Sequence, residues 1–237
     1  MSLSKPRGTT SPVERNFELK LAAGSVGYYD RESKKNVTVT GPAGEWEKGA
    51  TYPAAPPFKA IVLDVLSFIG GFNNKQQSGI WSNEVRSTRD EEFVVRTRGG
   101  VLKQGLYADI RDEVTNPKVG GKFGNSVYIA FKEDGEWKLG NLKLIGAGLS
   151  AFFDFKKGKF FDSDPGLAIT AWQGKQTGTN EYFSPVFESW DVGAADLAAA
   201  SSLDETLQQF LGAVPAKAEE SADEPVDEDW DNPTPPF

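Results

Sequence analysis

The chain has no cysteine and no histidine, and only one methionine among its 237 residues. Without cysteine there is no disulfide framework and no thiolate metal site, a usage that fits a reducing cytoplasm. Without histidine the commonest general base is gone, and with it the Ser–His and Cys–His pairs and most zinc sites. Few enzyme classes survive both absences. No apolar run approaches the roughly 18 residues of a membrane span, and residues 1–11 lack the apolar centre of a signal peptide. The Gly-rich stretch at 140–148 holds only Gly146-x-Gly148. No dinucleotide fingerprint or P-loop is present, so nucleotide hydrolysis has no support. No internal repeat is visible. The expectation is a cytoplasmic protein that is not an enzyme, with no cofactor, no metal and no membrane partner.

What is present is charge, unevenly spread. The chain carries 26 Lys+Arg against 34 Asp+Glu, a net charge of −8. From Asp191 onward twelve acids face Lys217 alone, whereas residues 1–190 hold 25 bases and 22 acids. A mildly basic body is joined to a polyanion, which points to nucleic acid or a basic partner. Residues 219–237 contain eight acids, no base and four prolines. Such a stretch cannot bury enough surface to fold alone. Yet Trp230 stands between Asp229 and Asp231, and the sequence closes on Pro236 and Phe237. An acidic peptide with hydrophobic anchors suits a pocket beside basic residues, so these five form a candidate partner-binding tip. The same polyanion could lie across the body's basic surface until a nucleic-acid backbone displaces it.

The body reads as short strands. Residues 17–21 alternate with period two, and Tyr28, Tyr29 and residues 37–40 flank a hairpin turn. Residues 41–57 are Gly- and Pro-rich and read as a loop. The strongest apolar run, 58–69, has the β-branched content of a long central strand. Strands follow at 78–85, 93–98, 101–107, 126–131, 136–145, 167–172 and 182–187, with 173–180 as a loop. Asp134-Gly135 is the strongest hairpin signal among them. Almost no helix is expected before Asp191. Short strands with Gly-rich turns indicate an all-β, mainly antiparallel fold, a closed or nearly closed barrel. One clear helix comes late, where Ser202 to Glu205 reads as a capping box before an apolar stripe of Leu203, Leu207, Phe210 and Leu211. It would cover a barrel edge or mediate self-association. The expected organisation is a disordered basic lead (1–12), one domain (13–192), a helix (193–214) and a disordered acidic tail (215–237).

Sequence-independent binding of a nucleic-acid strand needs cations for phosphates and aromatic faces for bases. The body alternates the two. Trp81 precedes Arg86; Arg96 and Arg98, two apart on a strand, share a face; Lys103 and Tyr107 follow across the hairpin. Lys122 with Phe123, Phe155 with Lys156 and Lys157, and Trp172, Lys175 and Tyr182 repeat the pairing. Core aromatics beside solvated lysines would read the same way residue by residue. Two other readings stand beside it. Asp64, Asp109, Asp112 and Glu113 offer a carboxylate and Mg²⁺ nuclease, although their spacing matches no known metal loop. A β-sandwich carbohydrate- or protein-binding module would use the aromatics to stack on sugars.

The acidic tail closing on Pro236-Phe237 resembles the C-terminal tip of bacterial and phage single-stranded-DNA-binding proteins. The runs Ile69-Gly70-Gly71-Phe72, Gly79-Ile80-Trp81-Ser82-Asn83-Glu84-Val85, Val94-x-Arg96, Gly105-Leu106-Tyr107-Ala108-Asp109-Ile110 and Gly121-Lys122-Phe123 resemble a phage-encoded group of these proteins. The resemblance covers roughly residues 58–131 and the tip. It implies an elaborated OB-fold that coats single-stranded DNA in replication, recombination and repair, in the host cytoplasm if phage-encoded. It also implies that the tip recruits a polymerase, helicase or primase. Here Asn232-Pro233-Thr234-Pro235 separates the acids from the terminal Pro-Phe. The enzyme that reads this tip therefore need not be the one that reads the bacterial tip.

Overall fold

A computed structural model describes residues 18–22, 24–30, 33–158, 161 and 163–213. The basic lead at 1–12, the tail at 215–237 and its tip residues lie outside the described residues. The strands are β1 (Glu18–Ala22), β2 (Ser25–Asp30), β3 (Lys35–Pro42), β4 (Thr51–Asn73), β5 (Ser78–Ser82), β6 (Phe93–Thr97), β7 (Gly100–Gly105), β8 (Gly121–Glu133), β9 (Glu136–Ile145), β10 (Gly166–Thr177) and β11 (Asn180–Glu188). Among the described residues three helices accompany them: α1 (Tyr107–Val114), α2 (Gly146–Lys156) and α3 (Ala194–Ala213). The fold is mostly β, as expected. Pairing is mixed, however: β1 runs parallel to β9, from Glu18 opposite Asn141 to Lys20 opposite Lys143.

Several boundaries depart from the sequence pattern. Residues 41–57 are not all loop, because β4 begins at Thr51 and pairs with β10 through Thr51–Gln173, Tyr52–Trp172 and Pro53–Ala171. The register shifts between Ile169 and Ala171, and beyond it Phe58 faces Ile169. Pro56 and Pro57 thus fall in the irregularity, where a missing N–H breaks no ladder. Ala54 and Ala55 pair with β3 instead. Most of the expected loop at 173–180 is strand, with the turn confined to 178–179.

Two helices precede Asp191, where almost none was expected. In α1 the buried Ile110 and Val114 lie on one face, and Asp109 suits the first turn. Tyr107 opens this helix instead of ending a strand. In α2 the buried residues are Gly148, Leu149 and Phe152. The Ser202 capping box lies inside α3, which starts at Ala194 in an Ala-rich run of high helix propensity. The Ser202 carbonyl accepts the Thr206 hydroxyl at 3.2 Å, as in a helix interior. The hairpin signal at Asp134-Gly135 is met: both residues have positive φ, 51° and 84°, as a type I′ turn requires.

Contacts divide the described chain into two compact units. The larger holds 18–65 and 127–207; the smaller holds 66–126 and 208–213. In the larger unit the strand order β3-β2-β1-β9-β8-β4 continues through β4 to β10 and β11. One apolar cluster there centres on Ile61, Ala130 and Ala200. Beside α2, Phe152 stacks on Phe161 at 6.0 Å and meets Phe187 edge-on at 5.9 Å. The smaller unit pairs the end of β4 with β5, β6 and β7 and packs α1 against them. Its core is Ile69, Ile80, Val85, Phe93, Val95, Ile110 and Val114.

Candidate nucleic-acid interface

In β5 of the smaller unit Ser78 and Ile80 are buried, whereas Gly79 and Trp81 are not. The face carrying Trp81 is therefore turned away from the core. Arg96 of β6 lies directly opposite Trp81, and Val101 of β7 lies opposite Arg96. Residues directly opposite on adjacent strands share a face, so the three form a row across the sheet. Trp81 and Arg96 are half-buried and Val101 is 53% exposed. A register shift between Val95 and Arg96 sets this row. Bulges of this kind re-aim side chains.

Polar side chains hold β5 in place. Ser82 Oγ accepts the Ile69 N–H at 2.8 Å and donates to the Asn83 carbonyl at 2.7 Å. Asn83 Oδ1 accepts the Val94 N–H at 2.6 Å, while its Nδ2 donates to the Glu92 carbonyl at 2.9 Å. Ser78 Oγ accepts the Arg98 N–H at 2.8 Å. These bonds satisfy buried backbone donors where the ladder is interrupted, and they fix the strand that carries Trp81.

The remaining candidates of this unit behave differently. Arg98 is exposed but lies in the turn after β6, so the shared-face spacing with Arg96 stops at Thr97. Arg86 is exposed and donates to Gln208 Oε1 at 2.9 Å. Lys103 pairs with Glu113 at 2.8 Å. Tyr107 and Phe123 pack on each other, ring centres 4.6 Å apart, and both line the core. Burial raises the Tyr107 phenol above its ordinary value; Arg111 opposes that shift and Asp112 adds to it. Lys122 is exposed on β8.

The other candidates belong to the larger unit. Trp172 is fully buried there, opposite Tyr52 and Pro185, so it has no ring face to offer a base. It is a core residue. Phe155 is half-buried among Phe152, Phe161 and Phe187. Lys156 and Lys157 are exposed at the end of α2. Lys175 is exposed opposite Tyr182, whose carbonyl accepts Trp46 Nε1 at 3.2 Å. The carboxylates do not gather. Asp64 Oδ1 accepts the Val65 N–H at 2.8 Å, and Arg111 Nε holds Asp112 at 3.1 Å. Among the described residues no group of three or more potential metal ligands occurs.

Sequence reading missed four residues that the larger unit assembles: Lys59, Lys132, Trp137 and Trp190. Half of that group had a signal. Across a two-residue hairpin at 134–135, positions 132 and 137 are cross-strand partners. Lys59 and Trp190 are far apart in the chain, and nothing local joins them.

Comparison with protein-family models, with curated proteins and with solved structures finds no match. No described helix is long and apolar enough to cross a membrane.

Proposed function

We propose that this protein binds single-stranded DNA without sequence preference, on an elaborated OB-fold body, in phage replication, recombination and repair. The carrying observation is the cross-strand row of Trp81, Arg96 and Val101 on the outward face of β5–β6–β7. A partly open indole beside a guanidinium supplies one stacking face and one phosphate contact. Arg98 and Lys122 add exposed cations in the same unit. The net positive balance of residues 1–190 supports the reading, as does the resemblance over 58–131. The C-terminal tip recruits a polymerase, helicase or primase, and the protein itself performs no chemistry on the strand.

The test is a tryptophan-fluorescence titration with oligo-dT and with duplex at two salt concentrations. Single strands should bind far better than duplex, since stacking needs unpaired bases, and affinity should fall steeply with salt. Replacing Arg96 and Arg98 together by Ala should weaken binding and flatten the salt slope by up to about two. Equal quenching by duplex and single strand would sink the proposal.

A further inference from the structure

Five residues of the larger unit line an open pocket of about 150 Å³: Lys59, Lys132, Trp137, Trp190 and Asp196. They come from β4, β8, β9, the segment after β11, and the first turn of α3. Both indoles pack against the cluster of Ile61, Ala130 and Ala200 and remain half-buried. Each therefore keeps part of its surface open. Over each ring stands an ammonium group. Lys59 Nζ is 5.3 Å from the centre of Trp190, and Lys132 Nζ is 4.9 Å from the centre of Trp137. Lys132 also pairs with Asp196 at 3.1 Å.

Trp190 is held from two directions. Its Nε1 donates to the Ala60 carbonyl at 2.9 Å. Its own carbonyl sits so close to Gly166 that a Cβ there would lie 2.0 Å from it. The ring is set in place before any ligand arrives, which lowers the cost of binding.

Two indoles, two ammonium groups and one carboxylate make a pocket with flat apolar walls and one excess positive charge. A neutral sugar would use the walls and leave the cations idle. A simple anion would use the cations and leave the walls idle. A ring with a cation beside it, occurring twice, matches the repeat of a nucleic-acid strand, which offers a base and then a phosphate. We propose that this pocket takes a base and its two flanking phosphates from a bound single strand. The base lies against an indole, and the lysines leave the rings for the phosphates. Ammonium–indole contacts at exposed sites are weak, so stacking can replace them. The proposal rests on the single-strand reading but on different residues, in the other compact unit.

Ultraviolet crosslinking of the full chain to oligo-dT carrying 5-iododeoxyuridine, with peptide mapping by mass spectrometry, tests it directly. Crosslinks should fall on Trp137 or Trp190. Lys59→Gln with Lys132→Gln, both at exposed positions, should weaken oligo-dT binding and lower the salt slope by about two. Trp137→Ala should weaken it about 5- to 150-fold, the loss of one stacked base. If oligo-dT binds and crosslinks only elsewhere, Trp81 included, with the lysine variant unchanged, the pocket proposal falls and the single-strand reading stands. If oligo-dT does not bind at all, both fall. Displacement of the crosslink by micromolar dTMP would make this a free-nucleotide site and overturn the strand assignment. Protection of the two tryptophans by a peptide of residues 219–237, but not by oligo-dT, would overturn it in favour of an acidic peptide.

Discussion

Trp81 and Trp172 are the same side chain put to opposite uses. Trp81 shares an outward face with Arg96; Trp172 is sealed in the larger unit with its Nε1 lacking a hydrogen-bond partner among the described residues. Trp81→Ala should cost about 1–3 kcal/mol of oligo-dT binding. Trp172→Ala should instead cost about 3–5 kcal/mol of folding stability and leave affinity per folded molecule unchanged. Denaturant melts run beside each titration separate the two, and a Trp81 variant with full affinity would make that ring structural. Tyr107 supplies a pH test. Burial holds its proton more tightly in the folded state than in the unfolded one. Its stabilising contribution is therefore complete below the unfolded value, about pH 10, and is lost as pH rises through the higher folded value. Tyr107→Phe should lose less stability than the parent between pH 9 and 11. Identical alkaline declines in thermal melts would show that this phenol does not matter.

At the scale of elements, β5 depends on side-chain hydrogen bonds as much as on its ladder. Asn83→Ala would leave the buried Val94 N–H without its acceptor and the Glu92 carbonyl without its donor. That should cost about 1–3 kcal/mol in chemical denaturation. It should also weaken oligo-dT binding, because Trp81 lies two residues away; unaltered stability would mean that the clamp is dispensable. The same elements show what was legible in the sequence. Strand β9 matches its predicted span residue for residue, because alternation and the Asp134-Gly135 turn mark its start. The start of β4 was hidden by prolines that sit in a register shift. Helix α1 is only eight residues long, too short for its Ile110 and Val114 spacing to stand out from the strands around it. For the candidate interface, Trp81 and Arg96 were readable as residue types. Their direct opposition depends on a bulge that no local pattern encodes. The Lys59–Trp190 contact depends on a strand and a connecting segment brought together only by the fold.

For the whole molecule, charge asymmetry makes the prediction. Deleting residues 215–237 removes eight acidic side chains and one base from a chain whose first 190 residues are net positive. A charged segment joined covalently to that body acts at an effective concentration of order millimolar. Deletion should therefore tighten oligo-dT binding at low salt. It should change binding little near physiological ionic strength, where the Debye length is about 8 Å. Phe237→Ala removes no charge, so it should leave affinity alone while abolishing capture of the replication enzyme proposed for the tip. Unaltered low-salt affinity after deletion would show that the polyanion does not compete. The depth of Trp172 also has an optical consequence for all of these titrations. An indole sealed from solvent goes on emitting after its exposed counterparts are quenched. Saturation should leave a residual emission, shifted to shorter wavelength than the starting spectrum. A signal that falls to nothing would report precipitation instead of a bound strand.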